Sequence, residues 1–256
     1  MDKFSLVGKH CAITGASSGF GHHFAGVLAE AGAKVSLGAR RVEKIESRAA
    51  EINHAGGVGA CFPLDVRNPD SCAEFLTSAS EKFGTIDVLI NNAGVEAGAK
   101  TYAMITDEDW DYVMDTNLKS VWRLSKLYTH QLAEAGASSG NIINIASITA
   151  FRHIKGQFPY AVSKAALVKA TEIMALEAAR HGIRVNALAP GYVLTNATQA
   201  LLESDYADTF VKGVPMRRYG EFEDLDGPLL LLASDASSYM TGSTLVVDGG
   251  HICAEL

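Results

Sequence analysis

Tyr160 and Lys164 stand four apart in the run YAVSK, so on a helix they share one face. A free phenol has a pKa of ~10 and is a poor acid or base at neutral pH. A neighbouring ammonium stabilises the phenolate and lowers that value, so such a pair can pass a proton to or from an alcohol oxygen. Taken alone, the two residues read equally well as part of an exposed helix face. Ser147 ends the run NIINIAS, which reads as a buried strand. Ligands of parallel sheets bind at the carboxyl ends of strands. Asn117 falls inside a helical pattern, where a buried amide needs a polar reason to be present.

A second set of candidates lies in GASSG, which occurs at 15–19 and again at 136–140. Both copies satisfy the G-x-S-x-G pattern of a hydrolase nucleophile elbow, which would make Ser17 or Ser138 a nucleophile. Context decides between readings. The first copy extends to TGASSGFG at 14–21, after a first strand and at the start of a first helix. Gly15, Gly19 and Gly21 suit a loop that must approach a pyrophosphate closely, with the phosphates on the free N–H groups of the helix start. An elbow normally follows several strands, not the first. The second copy follows a helix and precedes a strand, the reverse of an elbow, so Ser138 reads as a loop residue.

The elements needed to position these residues alternate along the chain. HCAIT, AKVSLGA, VGACFPLDV, TIDVLINNAG, NIINIAS, IRVNALAP and STLVVDGG read as strands. Between them lie helical patterns, among them Phe20, Phe24, Val27, Leu28 and Ala31 in the first. Asn68 before Pro69 marks a helix start, with proline at the first helical position. The order βαβα predicts an α/β fold: a doubly wound, seven-stranded parallel sheet with helices on both faces, in one domain. The stretch 195–218 has no clear pattern and reads as a substrate lid.

The 256 residues are 48% hydrophobic and 20% charged, with a formal charge of −7. No basic cluster is present to follow a phosphate backbone, which argues against a nucleic-acid partner. No apolar run reaches the ~18 residues of a membrane span. Cys11, Cys61, Cys72 and Cys253 show no C-x-x-C spacing and read as reduced thiols of a cytoplasmic protein. His22 and His23 are adjacent and point to different faces, and no metal motif is found, so no metal site is expected.

With these motifs in order, the chain resembles the short-chain dehydrogenase/reductase family over essentially its whole length. The resemblance rests on 14–21, NNAG at 91–94, Asn117, Ser147, YAVSK, PGYVLT at 190–195 and TGSTLVVDGG at 241–250. The pattern is most similar to 3-oxoacyl-carrier-protein reductase-like members, a label that spans many activities. Phe20 (where isoleucine is more usual) and the His22–His23 pair depart from the family pattern.

The resemblance implies a Rossmann fold, a homotetramer and hydride transfer between a nicotinamide cofactor and a carbonyl or secondary alcohol. It makes Tyr160 the general acid or base, and has Lys164 lower its pKa and bond the nicotinamide ribose. Ser147 would donate to the substrate oxygen, and Asn117 would hold a water linking Lys164 to solvent. Gly15, Ser17, Ser18, Gly19, Phe20 and Gly21 would form the cofactor loop. Asn91, Ala93 and Gly94 would line the adenine-ribose side, with Asp65 and the Val66 backbone at the adenine. Pro190, Gly191, Val193 and Thr195 would fix the carboxamide.

Cofactor choice has a physical reading. An acid at the end of the second strand binds a ribose 2′-hydroxyl, and a base binds a 2′-phosphate. KVSLGARR has no acid there, then Arg40 and Arg41. This predicts NADP(H) over NAD(H), with Arg40 the main contact; the alternative is two solvated arginines. The substrate stays open among a 3-oxoacyl thioester, a sugar or polyol, and a simple or cyclic ketone. Arg152, His153 and Lys155 could attract an anion or simply face water. Phe151, Phe158 and Tyr192 could form an apolar wall. Glu96 could touch a hydroxylated substrate or be an exposed loop carboxylate. The competing classes are an NAD(H)-dependent polyol, sugar or cyclic-alcohol dehydrogenase of the same family, a dinucleotide sensor without turnover, and a serine hydrolase using Ser17.

Overall fold

Seven parallel strands form one sheet: β1 (His10–Thr14), β2 (Lys34–Ala39), β3 (Val58–Pro63), β4 (Val88–Asn91), β5 (Gly140–Ile145), β6 (Ile183–Pro190) and β7 (Thr244–Val247). Their spatial order is β3-β2-β1-β4-β5-β6-β7. A computed structural model describes residues 3–194 and 211–254. The chain order reverses where β1 pairs with both β2 and β4. Above the carboxyl ends of these strands the outgoing connections part to opposite faces, which opens a crevice for a ligand.

Helices cover both faces. On one, α1 (Gly19–Glu30), α2 (Val42–His54) and α7 (Asp226–Ala233) set Phe24, Leu28, Ile45, Ile52, Leu229 and Leu232 against Ile13, Leu37, Ile90 and Ile143. On the other, α3 (Pro69–Phe83), α5 (Ser120–Glu134) and α6 (Phe158–Ala178) set Phe75, Leu124, Leu132 and Ala175 against Ala12, Leu89, Ile142 and Val185. Adjacent strand residues such as Leu89 and Ile90 thus serve opposite cores. This is why the strands read as continuous apolar runs rather than alternating ones. Each large side chain buried this way contributes about 1.5–3 kcal/mol.

Local chemistry sets the helix ends. The Asn68 side chain accepts from the N–H groups of Asp70 and Ser71, capping α3 as its sequence implies. Thr106 and Asp109 form a reciprocal capping box at α4 (Asp107–Met114). Between α4 and α5 the chain makes a π-helical turn, Asp115–Lys119, with Asn117 fully buried. Such turns widen a helix by a residue and recur at functional sites.

A buried polar ladder then orients α6. Asn91 Nδ2 donates to Asn144 Oδ1 at 2.9 Å, and Asn144 Nδ2 donates to Thr171 Oγ1 at 2.9 Å. This ties β4 through β5 to the helix that carries Tyr160 and Lys164.

Candidate active site

The carboxyl ends of β1, β2, β4 and β5 open into a cleft of about 1690 Å³. Its floor is the loop between β1 and α1. Gly15 has φ +70, and a Cβ there would lie 2.8 Å from Ala93 Cα. A Cβ on Gly21 would lie 2.6 Å from the Gly15 carbonyl oxygen and run into the Asn92 amide. Only glycine lets these backbones meet. Asn92 holds the arrangement: its Nδ2 donates to Thr14 O at 2.9 Å and Gly15 O at 3.2 Å. Thr14 Oγ1 accepts from the N–H groups of Asn92 and Ala93, each at 3.0 Å. Ser18 precedes α1 without a side-chain cap, and no acid occupies the first turn. The donors of that turn therefore remain for an anion.

Arg41 closes one side of this loop. Its Nη2 donates to Ser17 Oγ at 2.9 Å and Ser18 Oγ at 2.7 Å, and its Nε donates to Ser17 Oγ at 3.2 Å. Arg40 is exposed on the cleft rim. Ser17 Oγ is thus an acceptor for a guanidinium, and among the described residues no histidine or carboxylate bonds it. That environment leaves no base to activate it. His23, from the unusual pair, bonds Asp226 at 2.6 Å and stacks on Phe222. It braces α1 against the segment that leads into α7.

The acid–base candidates gather at the end of β5. Tyr160 and Lys164 lie on one face of α6, with Lys164 Nζ 5.5 Å from the Tyr160 ring centroid. Lys164 is 4% exposed and donates to Ile145 O at 2.7 Å. Ser147, itself buried, lies near enough to the Tyr160 hydroxyl to favour its ionisation.

The tyrosine departs from its sequence expectation. Burial, followed by the Glu96 charge, pushes its pKa up to about 12, and nearby Ser147 only partly offsets this. Lys164 Nζ is held by the Ile145 carbonyl rather than by the phenol oxygen, and its nearby charge does not outweigh these causes. Burial instead brings Lys164 down to about 8.

Asn117 reaches the same place from the π turn. Its Oδ1 accepts from Val95 N at 2.8 Å, and its Nδ2 donates to Val95 O at 2.9 Å and Ser163 Oγ at 3.1 Å. A Cβ on Gly94 would sit 3.6 Å from both Asn117 Oδ1 and Lys164 Nζ. The amide and the lysine therefore flank one small space.

Other candidates fall into place unevenly. Ala93, Gly94, Asp65, Val66 and Phe20 line the cleft. Asn91 does not: its side chain is buried in the β4–β5 ladder, and Asn92 faces the loop in its stead. Pro190 ends β6, and Gly191 packs so closely on Asp248 that a Cβ would lie 2.7 Å from its Cα. Val193 is buried and bridges Gly220. Thr195, with most of that expected lid, lies outside the described residues.

Arg152 donates to His251 O at 2.9 Å, so part of its guanidinium is already engaged. Phe158 meets Tyr102 and Trp110, at 6.2 and 5.9 Å between centroids, two aromatics that no local pattern marks. Among the described residues no group of three or more His, Cys, Asp or Glu is placed to hold a metal. No described helix is long and apolar enough to cross a membrane.

A family model described as enoyl-(acyl carrier protein) reductase matches residues 15–251. A 3-oxoacyl-[acyl-carrier-protein] reductase of Thermotoga maritima is 37% identical over 96% of this chain and 99% of its own. The chain belongs to the short-chain dehydrogenase/reductase family. Two solved structures of similar proteins support the same reading of the fold. One is a short-chain type dehydrogenase/reductase from Mycobacterium marinum, with a TM-score of 0.92 at 37% identity, covering 98% of each chain. The other is a gluconate 5-dehydrogenase from Burkholderia cenocepacia J2315 in complex with NADP and tartrate, with a TM-score of 0.94 at 32% identity, covering 99% of each. In this short-chain dehydrogenase/reductase, Ser147, Tyr160 and Lys164 converge beside the glycine-lined crevice.

Proposed function

We propose that the chain interconverts a carbonyl and a secondary alcohol with NADP(H), using Tyr160 as its proton donor and acceptor. The observation that carries this reading is Tyr160, near Ser147 and on the face of α6 that also bears Lys164, lining the crevice.

The residues present fit the cofactor. The glycine cradle and open first turn of α1 suit a pyrophosphate. Arg41, pre-set by two serine hydroxyls, suits a 2′-phosphate, and β2 ends without an acid that would repel one. Arg40 stands on the rim as a second cation, and Arg41 takes the leading role assigned to Arg40 from the sequence. When bound, the nicotinamide supplies or accepts the hydride at the reacting carbon.

The chain's own residues handle the oxygen. Ser147 donates a hydrogen bond to it and stabilises the charge that develops there. In reduction Tyr160 gives its proton to that oxygen. With a pKa near 12 it is fully protonated at neutral pH and so ready to act as the acid. Lys164, charged below about pH 8, stabilises the phenolate left behind. Asn117 holds the Val95 backbone and offers its oxygen beside Lys164 for a water-linked proton path. In oxidation the same groups run in reverse.

The test is oxidation of NADPH and NADH by the purified protein against 3-oxoacyl thioesters, keto-sugars, cyclic diketones and aromatic ketones. NADPH-preferring turnover of at least one class is expected. Tight NADPH binding with no turnover of any class would favour a sensor instead.

Assembly and location belong to the same proposal. Trp122 on α5 and Ile173 and Leu176 on α6 are 53%, 51% and 82% exposed. Together with the open edge of β7 they support a homotetramer, which sedimentation equilibrium tests. The four free thiols support a reducing, cytoplasmic location, which cell fractionation tests.

A further inference from the structure

Glu96 is an exposed carboxylate on the wall of the cleft that also holds Tyr160 and Lys164, and the proton transfer between Tyr160 and the substrate oxygen does not use it. Its position is built. Asn117 grips both backbone groups of Val95, one residue before it. Four residues after it, Lys100 N donates to Gly156 O at 3.1 Å and bridges Gln157, at the start of α6. The loop between these anchors borders the cleft, and Glu96 lines it together with Tyr160 and Lys164. Its charge acts on Tyr160, Tyr192 and Lys164. Desolvation by the cleft walls raises its own pKa, and Lys164 offsets this in part. Among the described residues it makes no hydrogen bond or ion pair.

Such a carboxylate discriminates by chemistry. An anionic substituent beside the carbonyl meets like charge. An apolar one strips water from the carboxylate and returns no hydrogen bond. A cationic one must also face Lys164, and Arg152 across Tyr192. A neutral hydroxyl satisfies all of these neighbours, because it donates to Glu96 and adds no charge.

We propose that Glu96 is a specificity-determining residue that selects substrates with a neutral hydroxyl next to the reacting carbon, that is, α-hydroxyketones and the corresponding vicinal diols. The inference rests on the oxidoreductase reading and narrows its substrate class to neutral polyhydroxylated compounds.

Three ketones of matched size separate the terms: hydroxyacetone, 2-butanone and pyruvate, each reduced with NADPH by the wild type, Glu96→Gln and Glu96→Leu. The wild type is expected to favour hydroxyacetone over both others in kcat/KM by at least about tenfold, since a site built for a hydroxyl rejects analogues lacking it. Glu96→Gln removes the charge and keeps an acceptor. It should narrow the hydroxyacetone-to-pyruvate ratio at least about tenfold and leave more of the preference over butanone. Glu96→Leu should collapse that second preference, chiefly through KM.

NADPH binding, followed by fluorescence, should stay level in both variants and shows that they are folded. Ratios that neither variant moves by more than about twofold, or a wild-type preference for pyruvate or butanone, would overturn the inference and leave the oxidoreductase reading standing. No reduction of any of the three by a wild type that turns over another carbonyl class would overturn the inference alone; no turnover of any carbonyl class would overturn the oxidoreductase reading and the inference with it.

Discussion

Tyr160→Phe is expected to lower kcat about 10²- to 10⁴-fold, the usual contribution of a positioned general acid. NADPH affinity and thermal stability should be nearly unchanged. The substitution removes one oxygen, keeps the ring beneath Lys164, and leaves the Lys164 bond to Ile145 untouched. Only the hydroxyl near Ser147 is lost. The pH profile carries a second signature. Reduction by the wild type should hold level through neutral pH, because Tyr160 keeps its proton to about 12. It should fall above about 8, where Lys164 loses the charge that stabilises the phenolate product of proton donation. Oxidation of the alcohol should rise with pH, since it needs the phenolate. A Phe variant that keeps more than a tenth of wild-type kcat would remove Tyr160 from the chemistry.

Arg41→Ala should raise the dissociation constant for NADPH about ten- to a hundredfold, the loss of one or two charge-assisted hydrogen bonds. The value for NADH should move less than about threefold. Arg40→Ala should have the smaller effect of a rim charge that solvent screens. The reason for the order is geometric. Arg41 is already fixed by Ser17 and Ser18, so little side-chain freedom remains to be lost on binding. Fluorescence titration of both cofactors against both variants decides it. Equal weakening of NADPH and NADH by Arg41→Ala would show that the guanidinium props the loop rather than reading the phosphate.

The difference between Arg40 and Arg41 shows where sequence stops. The absence of an acid and the presence of two bases after β2 are legible from residue types. Which of the two turns back onto the loop depends on the φ and ψ of the residues entering α2, and local pattern does not encode those. The NNAG motif behaves likewise. Two adjacent asparagines at a strand end must point opposite ways, and here Asn92 reaches the glycine loop while Asn91 drops into the β4–β5 ladder. A strand ending buried on both faces gives no clue to which is which.

The sheet was legible because its strands are short apolar runs of branched residues and its helices repeat at 3.6 residues. Both signals come from chemistry repeated along an element. The Tyr160–Lys164 pairing was legible for the same reason. The π turn at Asp115–Lys119 was not, since its sequence is that of an ordinary helix, and only the fit of Asn117 to Val95 and Ser163 reveals its use. The high Tyr160 pKa was hidden too. It follows from burial and from Glu96, a neighbour that the fold brings in from a different loop.

The most direct measurement of the central claim is the fate of deuterium placed at the reactive carbon of reduced NADP. The cofactor is labelled separately on each face of that carbon; with any ketone that the protein reduces, one of the two labelled forms should place one deuterium per molecule on the carbinol carbon of the product, seen by mass spectrometry and located by NMR, and solvent deuterium should not enter that position. Label left on the nicotinamide with both forms, label lost to water, or a carbinol hydrogen drawn from solvent would contradict direct hydride transfer and with it the roles of Tyr160, Lys164 and Ser147.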